Sequence, residues 1–127
     1  MNSDQLKQYQ EIARQFSKNA SVLQAIGDKT RQHIILCMME LPCRSNGGAR
    51  VGVITEKTHL SRPAISHHIK ILREAGIVGM RSEGRKNYYF LSSEYSNYVP
   101  LLKMFENVVD LSKKIGSEQK SLPRDNA

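Results

Sequence analysis

Apolar residues recur at spacings of three and four from the start of the chain. Leu6, Tyr9, Ile12, Ala13 and Phe16 form one amphipathic stripe with the period of an α-helix. A second group, Ala20, Val22, Leu23, Ala25 and Ile26, leads into Gly27-Asp28, so the first thirty residues read as helical. Asp28 suits the N-cap of a helix over 29–41, because its carboxylate can accept free first-turn N–H groups. Ile34, Ile35, Met38 and Leu41 would form that helix's buried face, and Pro42 ends it. Residues 42–50, PCRSNGGAR, are a loop by composition. A short helix fits 51–58, with His59-Leu60 as the following turn.

The next helix has two distinct faces. Ser61 can cap it, and Pro63 lacks an N–H that the first turn would leave unpaired anyway. At helical pitch Ile65, His68, Ile69 and Leu72 share one side, while Arg62, Pro63, Ser66, His67, Lys70 and Arg73 share the other. One face is built to pack and the other to meet something polar. Gly76 stops the helix. Residues 77–81 and 87–91 read as two strands joined by SEGRK, a glycine-containing hairpin. A long helix over 93–115 follows, with Val99, Leu102, Phe105 and Val109 on a broad apolar face. The expected fold is mostly α with one small β-hairpin: a winged helix-turn-helix with a three-helix core and long N- and C-terminal helices. Residues 1–115 make up this one domain. Residues 116–127 have little to bury and are expected to be a disordered tail.

Charge sharpens this picture. The chain of 127 residues carries a net charge of +7, which favours a polyanionic partner only if it is concentrated somewhere. It is: residues 62–86 hold Arg62, Lys70, Arg73, Arg81, Arg85 and Lys86 against Glu74 and Glu83. A short helix, a turn, a polar-faced helix and a basic hairpin suit double-stranded DNA, whose major groove admits one α-helix. The hairpin can then lie on the neighbouring backbone. The expected DNA-binding residues are Ser61, Arg62, Pro63, Ser66, His67, Lys70, Arg81, Arg85 and Lys86. No apolar run approaches a membrane span, and the first ten residues lack a signal peptide's apolar stretch, so the expected location is the cytoplasm.

Gly27-Asp28-Lys29-Thr30-Arg31, then Ile34-Ile35-Leu36, then LSRPAISHHIKILREAGIV and EGRKNYYFL closely resemble the ArsR/SmtB repressors. The resemblance runs from about Leu23 to Leu91, and the flanking helices fit the same plan. It implies a homodimer built on the first and last helices that binds inverted-repeat operators. Many such repressors release DNA when a metal binds. One family metal site uses a Cys-x-Cys pair, whose positions here hold Arg50 and Gly52. The other uses Asp and His along the last helix, which here has Asp110 and Glu106 but no histidine. Borderline metals want thiolate or imidazole, so neither a metal nor another cofactor is expected, and the effector is left open.

Cys37 and Cys43 admit two readings. Cys37 can be a small core residue and Cys43 an incidental loop thiol, since free cysteine is often buried. Alternatively the pair is a thiol sensor. Six residues of continuous helix span about 9 Å, too far for a disulfide, but Pro42 breaks the helix between them. Among the histidines, His68 is expected in the core and His67 on the DNA face, while His33 and His59 have no partner at ligand spacing. The Tyr88-Tyr89-Phe90 run is expected mainly to pack. No nucleophile–base pair with convincing spacing marks an enzyme. A winged-helix module for protein interaction is the remaining alternative, and the basic face of the polar helix argues against it.

Overall fold

In the computed structural model, which describes residues 1–41 and 47–119, three of the helices begin at capping side chains. Asn2 and Gln5 form a reciprocal capping box at α1 (Ser3–Lys18), satisfying two first-turn donors at once. Helix α2 (Ala20–Ile26) is separate from α1 rather than continuous with it. The break falls at Asn19, whose Nδ2 donates to the Gln15 carbonyl at 2.8 Å. Such local side-chain bonding competes with the helical ladder. Asp28 caps α3 (Lys29–Glu40) by accepting from the Arg31 N–H. Helix α4 (Val51–Thr58) and α5 (Arg62–Glu74) follow, then strands β1 (Val78–Glu83) and β2 (Lys86–Leu91), a 3₁₀ turn at Tyr95–Asn97, and α6 (Val99–Gln119).

The last helix starts six residues later than its periodicity suggests and continues to Gln119, four residues into the expected tail. Residues 120–127 of that tail lie outside the described residues. No helix among the described residues is long and apolar enough to cross a membrane.

The chain divides into two compact units. The unit spanning Ala20–Tyr95 is the winged helix-turn-helix. Its core contains Ala25, Ile34, Ile54, Ile65 and Leu72, all fully buried, with Met38, Leu41, Ile69, Ile77 and Val78 around them. Ile35, expected on the buried face of α3, is only half-buried; Cys37 takes its place. β1 and β2 pair antiparallel from Val78↔Leu91 to Glu83↔Lys86. The hairpin loop is therefore two residues, Gly84-Arg85, rather than the five of SEGRK. Gly84 has φ 60°, the conformation that lets a two-residue turn match the strand twist. Ala49 forms an isolated bridge to Tyr89 on the other edge of β2.

The second unit joins α1 to α6. Its seam is largely polar. Gln5 donates to Glu118 at 2.7 Å, Gln8 donates to Asp110 at 2.8 Å, Asn107 donates to Gln15 at 3.0 Å, and Asn19 reaches the Pro100 carbonyl. These partners run in opposite directions along the two helices, which are antiparallel. Met104 and Leu111 are buried, whereas Leu6, Tyr9, Phe16, Leu102, Phe105 and Val109 are 44 to 58 % exposed.

Candidate nucleic-acid interface

The turn between α4 and α5 is locked from the α4 side. His59 adopts a left-handed conformation with φ 61°, and its N–H reaches the Thr55 carbonyl at 2.8 Å. Buried Thr58 donates its hydroxyl to the Ile54 carbonyl at 2.7 Å and accepts from the Leu60 N–H. Ser61 then caps α5, accepting from Ala64 N–H at 3.3 Å, with Pro63 in the first turn. Ile65, Ile69 and Leu72 anchor the inner face in the core. Arg62, Pro63, Ser66, His67, Lys70 and Arg73 are all exposed on the opposite face. This is the division expected from helical pitch, because apolar residues at i, i+4 and i+7 fall on one side of the turn.

A residue outside α5 fixes its position. Arg31 donates from Nε to the Ala25 carbonyl at 2.8 Å and from Nη2 to the Gln24 carbonyl at 2.9 Å. Gln32 donates to the next one, Ile26, at 2.8 Å. Carbonyls at the C-terminal end of α2 would otherwise lack partners, and a guanidinium there also suits the helix dipole. The same guanidinium sits 3.3 Å from His68 Nδ1 and 3.9 Å from the Asp28 carboxylate. For Arg31 to donate, Nδ1 must carry no proton, so His68 is neutral with its hydrogen on Nε2. Burial holds its pKa below the usual histidine range, reinforced by the Arg31 and His67 charges and opposed by Asp28. Half-buried His68 is thus a hydrogen-bonded packing residue, and exposed His67 lies beside it with the rings 5.2 Å apart. The sequence holds Arg31 in view only as part of a family motif; its bridge across α2, α3 and α5 depends on tertiary contacts.

The wing separates its cations into two kinds. Arg85 and Lys86 are exposed at the tip. Half-buried Arg81 instead pairs with Glu83 and lies 4.8 Å over the Tyr88 ring. Tyr88, Tyr89 and Phe90 are all half-buried, consistent with packing.

Cys37 is buried, with its sulfur 3.8 Å from both ring nitrogens of His33. That pair stands one helical turn apart, so His33 does have a neighbour of ligand type, contrary to the reading from spacing. Two such groups do not make a coordination shell, and no cluster of three or more His, Cys, Asp or Glu exists among the described residues. Cys43 lies outside them.

The sequence profile of the bacterial regulatory proteins of the arsR family matches residues 28–79, from the α3 cap into β1. An uncharacterized HTH-type transcriptional regulator of Methanocaldococcus jannaschii is 38% identical over 76 residues, 60% of this chain and 80% of that protein. The transcriptional repressor SdpR of Bacillus subtilis is 34% identical over 73 residues, 58% of this chain and 74% of the repressor. The solved structure of an ArsR-like transcriptional regulator from Rhodococcus aligns with a TM-score of 0.63 at 20% identity, covering 87% of this chain and 97% of the other; that likeness is one of fold. The chain belongs to the ArsR family of bacterial regulatory proteins and is a DNA-binding transcriptional regulator.

Proposed function

We propose that this regulator is a cytoplasmic, homodimeric repressor that sets α5 into the major groove of an inverted-repeat operator and lays its wing on the adjacent backbone. The observation that carries this reading is the two-sided character of α5. Ile65, Ile69 and Leu72 are buried while Arg62, Ser66, His67 and Lys70 are exposed on one continuous face. Residues near the start of such a helix reach base edges. We assign base and phosphate contact to Arg62, Pro63, Ser66, His67 and Lys70, with Ser61 serving mainly as the cap. Arg85 and Lys86 take backbone contacts, which position the protein without reading sequence. Arg81 is already engaged by Glu83 and Tyr88, and its role in this reading is to stiffen the wing. The exposed apolar faces of α1 and α6 support dimerisation, because two-fold symmetry in the protein matches paired half-sites. A regulator, not an enzyme, is the reading these residues support.

The test is selection of bound duplexes from a random pool, followed by binding measurements on the selected operator. Replacing Arg62 or His67 with Ala should weaken operator binding by about 1–3 kcal/mol while the melting temperature holds. Unchanged operator affinity in both variants would remove the assignment. A thiol-sensing reading has little support beside this one, since Cys37 is buried and reactive thiols need access.

A further inference from the structure

An open cleft of about 660 Å³ lies between the start of α4, the start of α5 and the wing. Its walls include three arginines from three elements: Arg50 at the α4 N-cap, Arg62 at the first position of α5 and Arg85 at the wing tip. All three are exposed, and none takes part in an ion pair among the described residues. Glu56 is the one acidic residue in the lining.

The backbone adds donors. Arg50 makes no side-chain capping bond, while the Val53 and Ile54 N–H groups both turn to the Arg50 carbonyl. The N–H groups of Val51 and Gly52 are left without an intrahelical acceptor. Thr55, one turn further along and also in the wall, has a buried Oγ1 with no hydrogen-bond partner. The Arg62 guanidinium lies over Gly52, where a Cβ would stand 3.0 Å from Nη2. The Ala49–Tyr89 bridge, with N···O distances of 2.7 and 2.8 Å, ties the residue before Arg50 to the wing strand, so the arginines approach from anchored elements.

We infer that this cleft is a seat for one DNA backbone phosphate, held by the Arg50, Arg62 and Arg85 guanidiniums with the first-turn N–H groups of α4. The inference rests on the DNA-binding reading above and extends it to Arg50 and the first turn of α4, which lie outside α5 and the wing tip. Guanidinium forks match phosphate oxygens in pairs, and helix-start N–H groups favour the same charge. A backbone strand passing from the first turn of α5 to the wing tip must cross this cleft. An inorganic phosphate could use the same donors, so the experiment separates the two sources.

Binding of the full chain to its selected operator and to a random duplex of equal length is measured from about 50 to 300 mM salt. Arg50→Ala should weaken both duplexes alike, by about tenfold, and lower the salt slope by about one unit. His67→Ala should weaken only the operator. A slope and affinity unchanged by Arg50→Ala, with His67→Ala still impaired, would overturn the seat and leave the DNA reading standing. Insensitivity of both variants would overturn both. Gly52→Ala checks the geometry without damaging the helix, since alanine is the better helix former. Its melting temperature should equal or exceed that of the parent while duplex binding weakens about two- to threefold as Arg62 is displaced. Equal binding by Gly52→Ala would count against the Arg62 placement. In the last arm, inorganic phosphate is titrated while the Val51 and Gly52 amide resonances are followed. Weak binding in the millimolar range agrees with a backbone seat. Micromolar, Arg50-dependent binding with an unchanged duplex salt slope would make the cleft a small-anion site and overturn the inference.

Discussion

The two units of this chain distribute polarity in opposite ways. The winged-helix unit buries Ile34, Ile54, Ile65 and Leu72 completely and presents charge outward along α5 and the wing. In the α1–α6 unit the hydrogen-bonding residues face each other across the seam, while Leu6, Tyr9, Phe16, Leu102, Phe105 and Val109 are left exposed. Gln5 is 4 % exposed while its neighbour Leu6 is 51 % exposed. A partly buried, hydrogen-bonded polar seam fixes register at modest net gain, about 0.5–1.5 kcal/mol per bond at most. Covering the remaining half of the outward leucine and phenylalanine side chains would be worth about 0.8–1.5 kcal/mol each. The first unit has its stabilising burial within itself; the second leaves these apolar side chains about half exposed, and under the proposed function a second copy covers them.

The largest expected effect follows from that contrast. Leu102→Glu with Phe105→Glu places two carboxylates on the outward face of α6, where each charge would have to be desolvated in a dimer. Sedimentation should show monomers at micromolar concentration, and operator affinity should fall by about a hundredfold or more as half-site coupling is lost. Dimers that persist with full affinity would show that this face is not the assembly surface.

The next effect lies within the winged-helix unit. Arg31→Met keeps much of the side chain's volume but removes the donors that cap α2 and meet His68. Orphaned carbonyls and a lost charge-assisted bond should cost about 1–3 kcal/mol in unfolding free energy, read by urea denaturation. The same substitution strategy applied to exposed Arg73, which has no ion pair among the described residues, should change stability by less than about 0.5 kcal/mol. Equal losses in the two variants would remove Arg31 from its bridging role.

The contrast also explains how much could be read in advance. In the winged-helix unit the helix starts at Asp28 and Ser61 follow from their caps and the inner face of α5 from its period, because local preference and tertiary packing agree there. In the α1–α6 unit they diverge. The stripe of Leu6, Tyr9, Ile12, Ala13 and Phe16 predicts a helix correctly, yet periodicity carries no information about whether the stripe faces a core or the surface. Nothing local marks Gln5, Gln8, Gln15 and Asn19, and only their partners on α6, about a hundred residues away, make them a seam. The exposed polar face of α5, on which the DNA contacts are proposed, is legible for the same local reason. The bridge made by Arg31 is not, since its partners are residues that the fold brings beside it.

The smallest expected effect concerns pH and separates His68 from its exposed neighbour. Burial lowers the pKa of folded His68, so the unfolded chain binds a proton at this position more readily than the folded one. Stability is then complete above the ordinary histidine pKa of about 6.5 and declines as pH falls through that value toward the folded pKa. Physically, a proton on Nδ1 would face the Arg31 guanidinium and remove the acceptor it uses. Asp28 shifts in the same sense, so it too loses its contribution as pH falls, but in a separate window. The Arg31 backbone N–H is the main cause holding its pKa low, and that contribution disappears only below about pH 4. Melting at pH 7.5 and pH 5.5 therefore isolates the histidine. The parent should lose about 1–4 °C more than His68→Asn across this interval, and His67→Asn should behave like the parent. If His68→Asn keeps the full pH dependence, the neutral His68–Arg31 contact does not control stability in this range.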